Sequence, residues 1–180
     1  MQALTPTSEG SRYTVRSLET GDYAHLRRLE SDVWGGDATG QLCPYYLRLC
    51  TELYPDWCFL ALDGERPAGY VLNFPADRDG KRSAYCATLA VHPDYQKSRV
   101  NVLLIRAMVR KLIDARVQEC RFLVEPGNED ARSVHMALGA RVEREVQDYY
   151  REGDLRLWSV ITEADLEKVR ARYTRLKLVS

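Results

Sequence analysis

The chain of 180 residues reads as a mixed central sheet with helices on its faces, an α+β or α/β domain. Three observations predict it. Compact apolar segments at 57–62, 68–74 and 83–91 are separated by turn sequences, so they form an antiparallel meander. A helix with a broad apolar face links the third of these to a further apolar segment at 120–124, which makes a crossover unit, expected parallel and right-handed. Two more strands and a last helix then follow, so sheet and helices belong to one layered body.

The elements follow in order. Tyr13-Thr14-Val15-Arg16 alternates like a short strand and stops at Glu19-Thr20-Gly21-Asp22. Asp22 is placed to cap a helix that runs through Tyr23, Leu26 and Leu29 at helical spacing, and Trp34-Gly35-Gly36-Asp37 ends it. Pro44 opens a second helix over 45–53, which stops before Pro55. The meander turns at Asp63-Gly64 and at Asp77-Arg78-Asp79-Gly80. After His92-Pro93-Asp94 comes the crossover helix, about 100–115, with Leu104, Ile105, Met108, Val109, Leu112 and Ile113 on its apolar face. A helix over 131–138 starts at Asn128-Glu129-Asp130 and ends at Gly139. Strands at 141–149 and 155–161 turn at Glu152-Gly153-Asp154. Thr162 is placed to cap the last helix, about 163–172, with acids in its first turn and bases later. The order is β-α-α-β-β-β-α-β-α-β-β-α, in one domain over 12–180 behind a polar tail over 1–11.

Composition narrows the function. Lys plus Arg number 26 and Asp plus Glu number 26, so no net charge draws the chain to nucleic acid or to an anionic membrane. No apolar run of about 18 residues spans a bilayer, and the start lacks the apolar stretch of a signal peptide. The five cysteines are odd in number and scattered, which suits buried reduced thiols in a cytoplasmic protein. No CxxC pair or His cluster offers a metal site. G-x-S-x-G, Walker and H-E-x-x-H motifs and a paired-carboxylate motif are absent as well.

Three stretches carry a resemblance. The first is Thr88-Leu89-Ala90-Val91-His92-Pro93-Asp94-Tyr95-Gln96. The second is Asn128-Glu129-Asp130-Ala131-Arg132-Ser133-Val134-His135 with Leu138-Gly139-Ala140. The third is Val146-Gln147-Asp148-Tyr149-Tyr150-Arg151-Glu152-Gly153-Asp154. With the element order, they are similar to the GNAT N-acetyltransferase superfamily over about 12–162. The resemblance implies a GNAT-like sheet, acetyl-CoA as cosubstrate and transfer of its acetyl group to a primary amine of a small molecule or protein.

The cofactor loop departs from the family. The family pattern Q/R-x-x-G-x-G/A reads Gln96-Lys97-Ser98-Arg99-Val100-Asn101 here, so Gln96 matches and both glycines are replaced. Glycine lets a phosphate approach the backbone closely. Arg99 either binds phosphate through its guanidinium, with Lys97 adding charge, or fills the groove together with Asn101 and excludes the cofactor. The resemblance further implies that backbone groups of Leu89 and Val91 pair with the pantetheine arm where the strands at 83–91 and 120–124 splay. It places Asn128 near the cofactor, although an asparagine there also reads as a helix N-cap.

Acetyl transfer needs a deprotonated amine, a polarised thioester carbonyl and a protonated leaving sulfur. His135 occupies the position of the family's acidic tyrosine, and a histidine titrates near neutrality. Strand 83–91 holds no carboxylate, which leaves Tyr85 and Cys86 as its polar candidates. Tyr149 and Tyr150 are candidates for the acceptor side, and Glu125 is another candidate base. Each also reads as a packing or surface residue. The aromatic segment from 34 to 57 reads either as core or as an acceptor or partner surface. Three functions from different classes stay open: an N-acyltransferase, a GNAT-fold binding or scaffold module that has lost CoA, and a sensor that binds a CoA ester without turnover. The apolar stripe Leu166, Val169, Tyr173 and Leu176 packs on its own domain, or alternatively makes a homodimer.

Overall fold

The computed structural model describes residues 12–35 and 42–175, with side chains to residue 172. The expected polar tail, residues 36 and 37 of the first helix stop, and the Leu176 position of the last stripe lie outside the described residues, as does the side chain of Tyr173. The elements are β1 (Tyr13–Ser17), α1 (Tyr23–Trp34), α2 (Pro44–Glu52), β2 (Phe59–Asp63), β3 (Arg66–Pro75), β4 (Ser83–Val91), α3 (Val100–Asp114), β5 (Glu119–Val124), α4 (Glu129–Ala137), β6 (Arg141–Val146), β7 (Arg156–Thr162) and α5 (Glu163–Arg175). This is the order read from the sequence. The strands form one mostly antiparallel sheet in the order β1-β2-β3-β4-β5-β7-β6. The expected crossover is present: β4 and β5 are parallel, in register from Ser83↔Glu119 to Cys86↔Phe122.

Three local expectations need correction. Residue 57 does not open β2, because Pro55–Trp57 form a 3-10 turn whose first residue has its φ fixed by the proline ring. The strand at 141 stops at Val146 rather than residue 149. Asp148 takes a left-handed φ of 55°, and its Oδ1 accepts the Gly153 N–H at 2.7 Å, which closes a loop in place of extended backbone. Asp22 makes no side-chain cap on α1. Its carboxylate instead accepts two bonds from Arg16, at 2.6 and 2.8 Å, and one from the Glu19 N–H at 2.7 Å. A guanidinium fork outcompetes a single helical N–H for a carboxylate.

The contacts divide the chain into two compact units. One holds the residues up to Phe74 with Thr88–Met108, and the other holds Pro75–Ala87 with the residues from Val109 onward. In the first unit, Leu26 and Leu29 of α1 and Leu47 and Cys50 of α2 pack with Leu60, Tyr70, Leu72 and Ala90. Spacings of three on each helix put these residues on one face. Two carboxylates are buried among the described residues of this unit, Asp22 and Glu30. Glu30 accepts the Tyr70 hydroxyl and, at 2.5 Å, the Leu42 N–H. Tyr46, Tyr54 and Trp57 pack against the core, whereas Trp34 and Tyr45 are exposed, so the aromatic segment divides between the two readings.

In the second unit, β5 alternates strictly. Cys120, Phe122 and Val124 are buried, while Glu119, Arg121 and Leu123 are half-buried. Leu166 and Val169 of α5 are buried within the chain. Thr162 donates to Asp165 Oδ2 from its N–H at 3.0 Å and its hydroxyl at 2.7 Å, so the first turn is closed by the third helical residue. β6 is a solvent-exposed edge strand carrying Arg141, Glu143, Arg144 and Glu145, charges that oppose pairing with another chain. Cys50, Cys58, Cys86 and Cys120 are buried thiols and Cys43 is exposed. Burial pushes the Cys86 thiol up to about 12, which leaves it inert near neutrality. Among the described residues, no helix is long and apolar enough to cross a membrane.

Candidate functional site

The loop after β4 belongs to the first unit. Residues 93–95 form a short turn in which His92 Nδ1 accepts the Asp94 N–H at 3.1 Å. Ser98 Oγ then donates to the Tyr95 carbonyl at 2.6 Å and accepts the Val100 N–H at 3.2 Å, so a serine side chain caps α3. The bond from the Leu103 N–H to the Arg99 carbonyl, 3.0 Å, opens the helical ladder. The N–H groups of Asn101 and Val102 lie ahead of it, in the turn where a helix leaves donors without helical partners.

Around these donors, Gln96, Lys97 and Arg99 are exposed and Val100 is buried. Asn101 is half-buried, and its Oδ1 has no hydrogen-bond partner among the described residues. Leu89 and Val91 are half-buried on the last part of β4, past its final pair with β5. Gly69 on β3 sets the depth at which α3 sits. A Cβ there would lie 2.7 Å from the Ala90 carbonyl oxygen and 3.2 Å from both Val100 Cγ1 and Leu104 Cδ1.

The other candidates lie in the second unit, on the two faces of its sheet. Phe122 and Arg121 are neighbours on β5 and therefore point to opposite faces. On the Phe122 side, Asn128 Oδ1 accepts the Ala131 N–H at 3.0 Å and caps α4, as the N-cap alternative expects. His135 packs its ring against Phe122 with centroids 4.5 Å apart. Burial lowers its pKa to about 4, and its Nδ1 is buried with no partner among the described residues. The expectation of titration near neutrality is therefore corrected: the imidazole is neutral at pH 7 because its charged form would lose hydration in an apolar setting.

The Arg121 side gathers the tyrosines. Tyr85 pairs with Arg121 across β4 and β5, and its ring lies 5.6 Å from Trp158 of β7. Tyr149 lies 6.2 Å from Trp158 and 4.6 Å from Tyr150. Burial raises the Tyr85 phenol well above its ordinary value, so it stays protonated across the physiological range. Tyr150 is 68% exposed. A cavity of about 550 Å³ opens on this face, lined by Tyr85, Arg121, Glu143, Arg144 and Trp158 among others. Glu125, the further candidate base, is exposed and lies 3.9 Å from Arg156.

Trp158 escaped the sequence reading. Strand periodicity sets it apart from the buried Leu157 and Ser159, but only the sheet order places β7 beside β5 and so brings it to Tyr85. The structure joins Tyr85, Tyr149 and Tyr150 around this residue and holds His135 on the opposite face.

Residues 23–140 match the family described as "Acetyltransferase (GNAT) family". No curated protein matches the chain by sequence. Solved structures are similar in fold. Arabidopsis thaliana Naa50 in complex with the bisubstrate analogue CoA-Ac-MVNAL is 16% identical, with a TM-score of 0.71 over 84% of this chain and 99% of that one. The ribosomal-protein-S18-alanine N-acetyltransferase of Escherichia coli is 19% identical, with a TM-score of 0.70 over 83% and 93%. Diaminobutyrate acetyltransferase EctA from Paenibacillus lautus, in complex with L-2,4-diaminobutyric acid and coenzyme A, is 17% identical, with a TM-score of 0.67 over 84% and 95%.

Proposed function

This chain belongs to the GNAT acetyltransferase family, and from that premise we propose that it is an acyl-CoA-dependent N-acyltransferase moving acetyl from acetyl-CoA to a primary amine. The observation that carries the reading is the start of α3. Its first-turn donors at Asn101 and Val102 precede the helical ladder, and a helix start is a site for phosphate. Ser98 supplies the cap that sets the loop's shape where glycine is missing. Arg99 and Lys97 are exposed there, with no carboxylate partner among the described residues, and Arg99 would hold phosphate by side chain. The orphaned oxygen of Asn101 also favours a ligand-facing position, since a donor from outside would satisfy it.

Acetyl-CoA supplies an acyl group already activated as a thioester. A new C–N bond forms as the C–S bond breaks, and a proton from the amine ends on the leaving sulfur. The chain's part is to position the amine and to hold or pass that proton. Burial keeps the Tyr85 phenol protonated, so it would serve as a hydrogen-bond donor toward the acceptor side. Tyr149 and Tyr150 extend the same aromatic group toward solvent. His135 would act as a neutral ring, donating from whichever nitrogen carries its hydrogen. Leu89 and Val91 would offer backbone groups to the pantetheine arm in the manner of an added strand.

A second reading is favoured by a specific observation. Arg99 and Asn101 replace both loop glycines and His135 is neutral, which suits a GNAT-fold binding module without turnover. One experiment separates the two. Acetyl-CoA is incubated with the protein and a panel of amines and peptides, and free thiol and acetylated product are measured. Product in stoichiometric match with thiol supports the transferase. No product for any amine, with no acetyl-CoA binding, supports the module that has lost CoA.

A further inference from the structure

The cavity beside Tyr85 carries a recognition chemistry that acyl transfer alone does not explain. Its charged lining residues include Arg78, Arg121, Arg144, Asp79 and Glu143, an excess of one positive charge. Most of that charge is already paired. Arg121 reaches Glu119 at 2.9 Å and Glu143 at 3.4 Å, and Arg78 lies 3.4 Å from Asp79. Arg144 differs. Its guanidinium carbon lies 5.4 Å from the centre of the Trp158 ring, and it has no carboxylate partner among the described residues. Trp158 Nε1 is buried there and has no hydrogen-bond acceptor among the described residues.

An indole nitrogen only donates and a guanidinium only donates. Trp158 Nε1–H is a buried donor and Arg144 an exposed guanidinium, neither with an acceptor among the described residues, so the pair suits an anionic acceptor of hydrogen bonds. A buried donor left without a partner is destabilising, so a ligand that supplies the acceptor recovers this on binding. The volume of about 550 Å³ fits a small molecule, since ligand cavities run from about 300 to 1,000 Å³. Register places the group well. Arg144 pairs with Trp158 across β6 and β7, and Tyr85 pairs with Arg121 one residue before the β4–β5 ladder ends at Cys86↔Phe122.

We propose that this cavity binds the carboxylate of a small amino-acid-like amine, held by Trp158 Nε1–H and the Arg144 guanidinium, and that such a molecule is the acceptor. The identification of the acceptor rests on the transferase reading above. The binding site does not, because the two side chains that would hold the carboxylate are Arg144 on β6 and Trp158 on β7.

The test has a binding arm and a turnover arm. The chain holds three tryptophans, so a ¹⁵N-labelled sample gives three indole N–H signals, and Trp158→Phe identifies the one from Trp158. Titrating a panel of amino acids, each beside its amide and its decarboxylated amine, should move that signal saturably with at least one amino acid and with neither of its counterparts that lack the carboxylate. Arg144→Ala should weaken this binding about 10-fold or more. In the turnover arm, kcat/KM for the amino acid should exceed that for its amide. Both Arg144→Ala and Trp158→Phe, which keeps the aromatic contact, should reduce that preference about 10-fold, mainly through KM. An indole signal that no carboxylate moves, or a preference that survives both substitutions, overturns the proposal. If the binding arm succeeds and no acetyl-CoA is consumed, the transferase reading fails while the carboxylate site stands. If amines are acetylated without regard to a carboxylate, the reverse holds.

Discussion

The imidazole of His135 and the ring of Phe122 lie 4.5 Å apart, centre to centre, on the helix-covered face of β5. Burial of the ring holds the histidine neutral, with a pKa of about 4 against an ordinary 6.5. The sign of the effect on stability follows. Below pH 6.5 the unfolded chain takes up a proton that the folded chain refuses, so stability falls as pH drops from about 6.5 to about 4. Above 6.5 the term is constant. Its full size is on the order of 3 kcal/mol, each pKa unit being worth about 1.4 kcal/mol. Urea unfolding at a series of pH values between 4 and 7 checks this. The midpoint of the wild type should decline over that window more steeply than that of His135→Phe. Equal slopes would show that the ring is solvated.

Glu30 ties three segments of the first unit together. Glu30→Ala leaves the Tyr70 hydroxyl and the Leu42 N–H without their acceptor, a loss of roughly 1–3 kcal/mol for each. The melting midpoint should fall accordingly. Tyr70→Phe in the same background should restore part of the loss, because one unmet donor is gone. A double-mutant cycle measures that coupling.

Gly69→Ala tests how tightly α3 seats on the sheet. The added methyl meets a backbone oxygen at 2.7 Å, and backbone cannot yield as a side-chain end does. Overpacking of this kind is destabilising by about 1–3 kcal/mol. Calorimetric unfolding should show a lowered Tm, and acetyl-CoA affinity should fall with it as the helix start shifts. An unchanged Tm would mean that α3 moves away freely.

Arg99 distinguishes support from obstruction. If its guanidinium holds phosphate, Arg99→Ala weakens acetyl-CoA binding by roughly 1–3 kcal/mol, the range of a charge-assisted hydrogen bond. The double substitution Arg99→Gly with Asn101→Gly separates the alternative, because an obstructed groove would gain affinity when both side chains are removed. Titration calorimetry on the three proteins reads the outcome directly.

Much of the fold was legible because its signals are local. Asp63-Gly64 marks a hairpin, Pro44 opens a helix, and the apolar face of α3 repeats at helical spacing. The sequence misled where a side chain had a better partner than the expected one. Asp22 looked like a helix cap, but Arg16 six residues before it claims its carboxylate, and Asp148 bent a strand that residues 147–149 would otherwise have extended. The candidate site was half legible for a similar reason. The loop at 96–101 is contiguous, so its chemistry can be read in order. The Tyr85, Arg144 and Trp158 group comes from three strands that neighbour one another only after the sheet order is known.

A loop without its glycines should still receive acyl-CoA at the start of α3. Titrating acetyl-CoA into the wild-type protein in a calorimeter tests it most directly, with thermal unfolding of the same samples alongside. Binding should be saturable at one molecule per chain and, at a hundredfold excess over Kd, should add about 2.7 kcal/mol of stability. Absence of both heat and stabilisation at millimolar acetyl-CoA would contradict it.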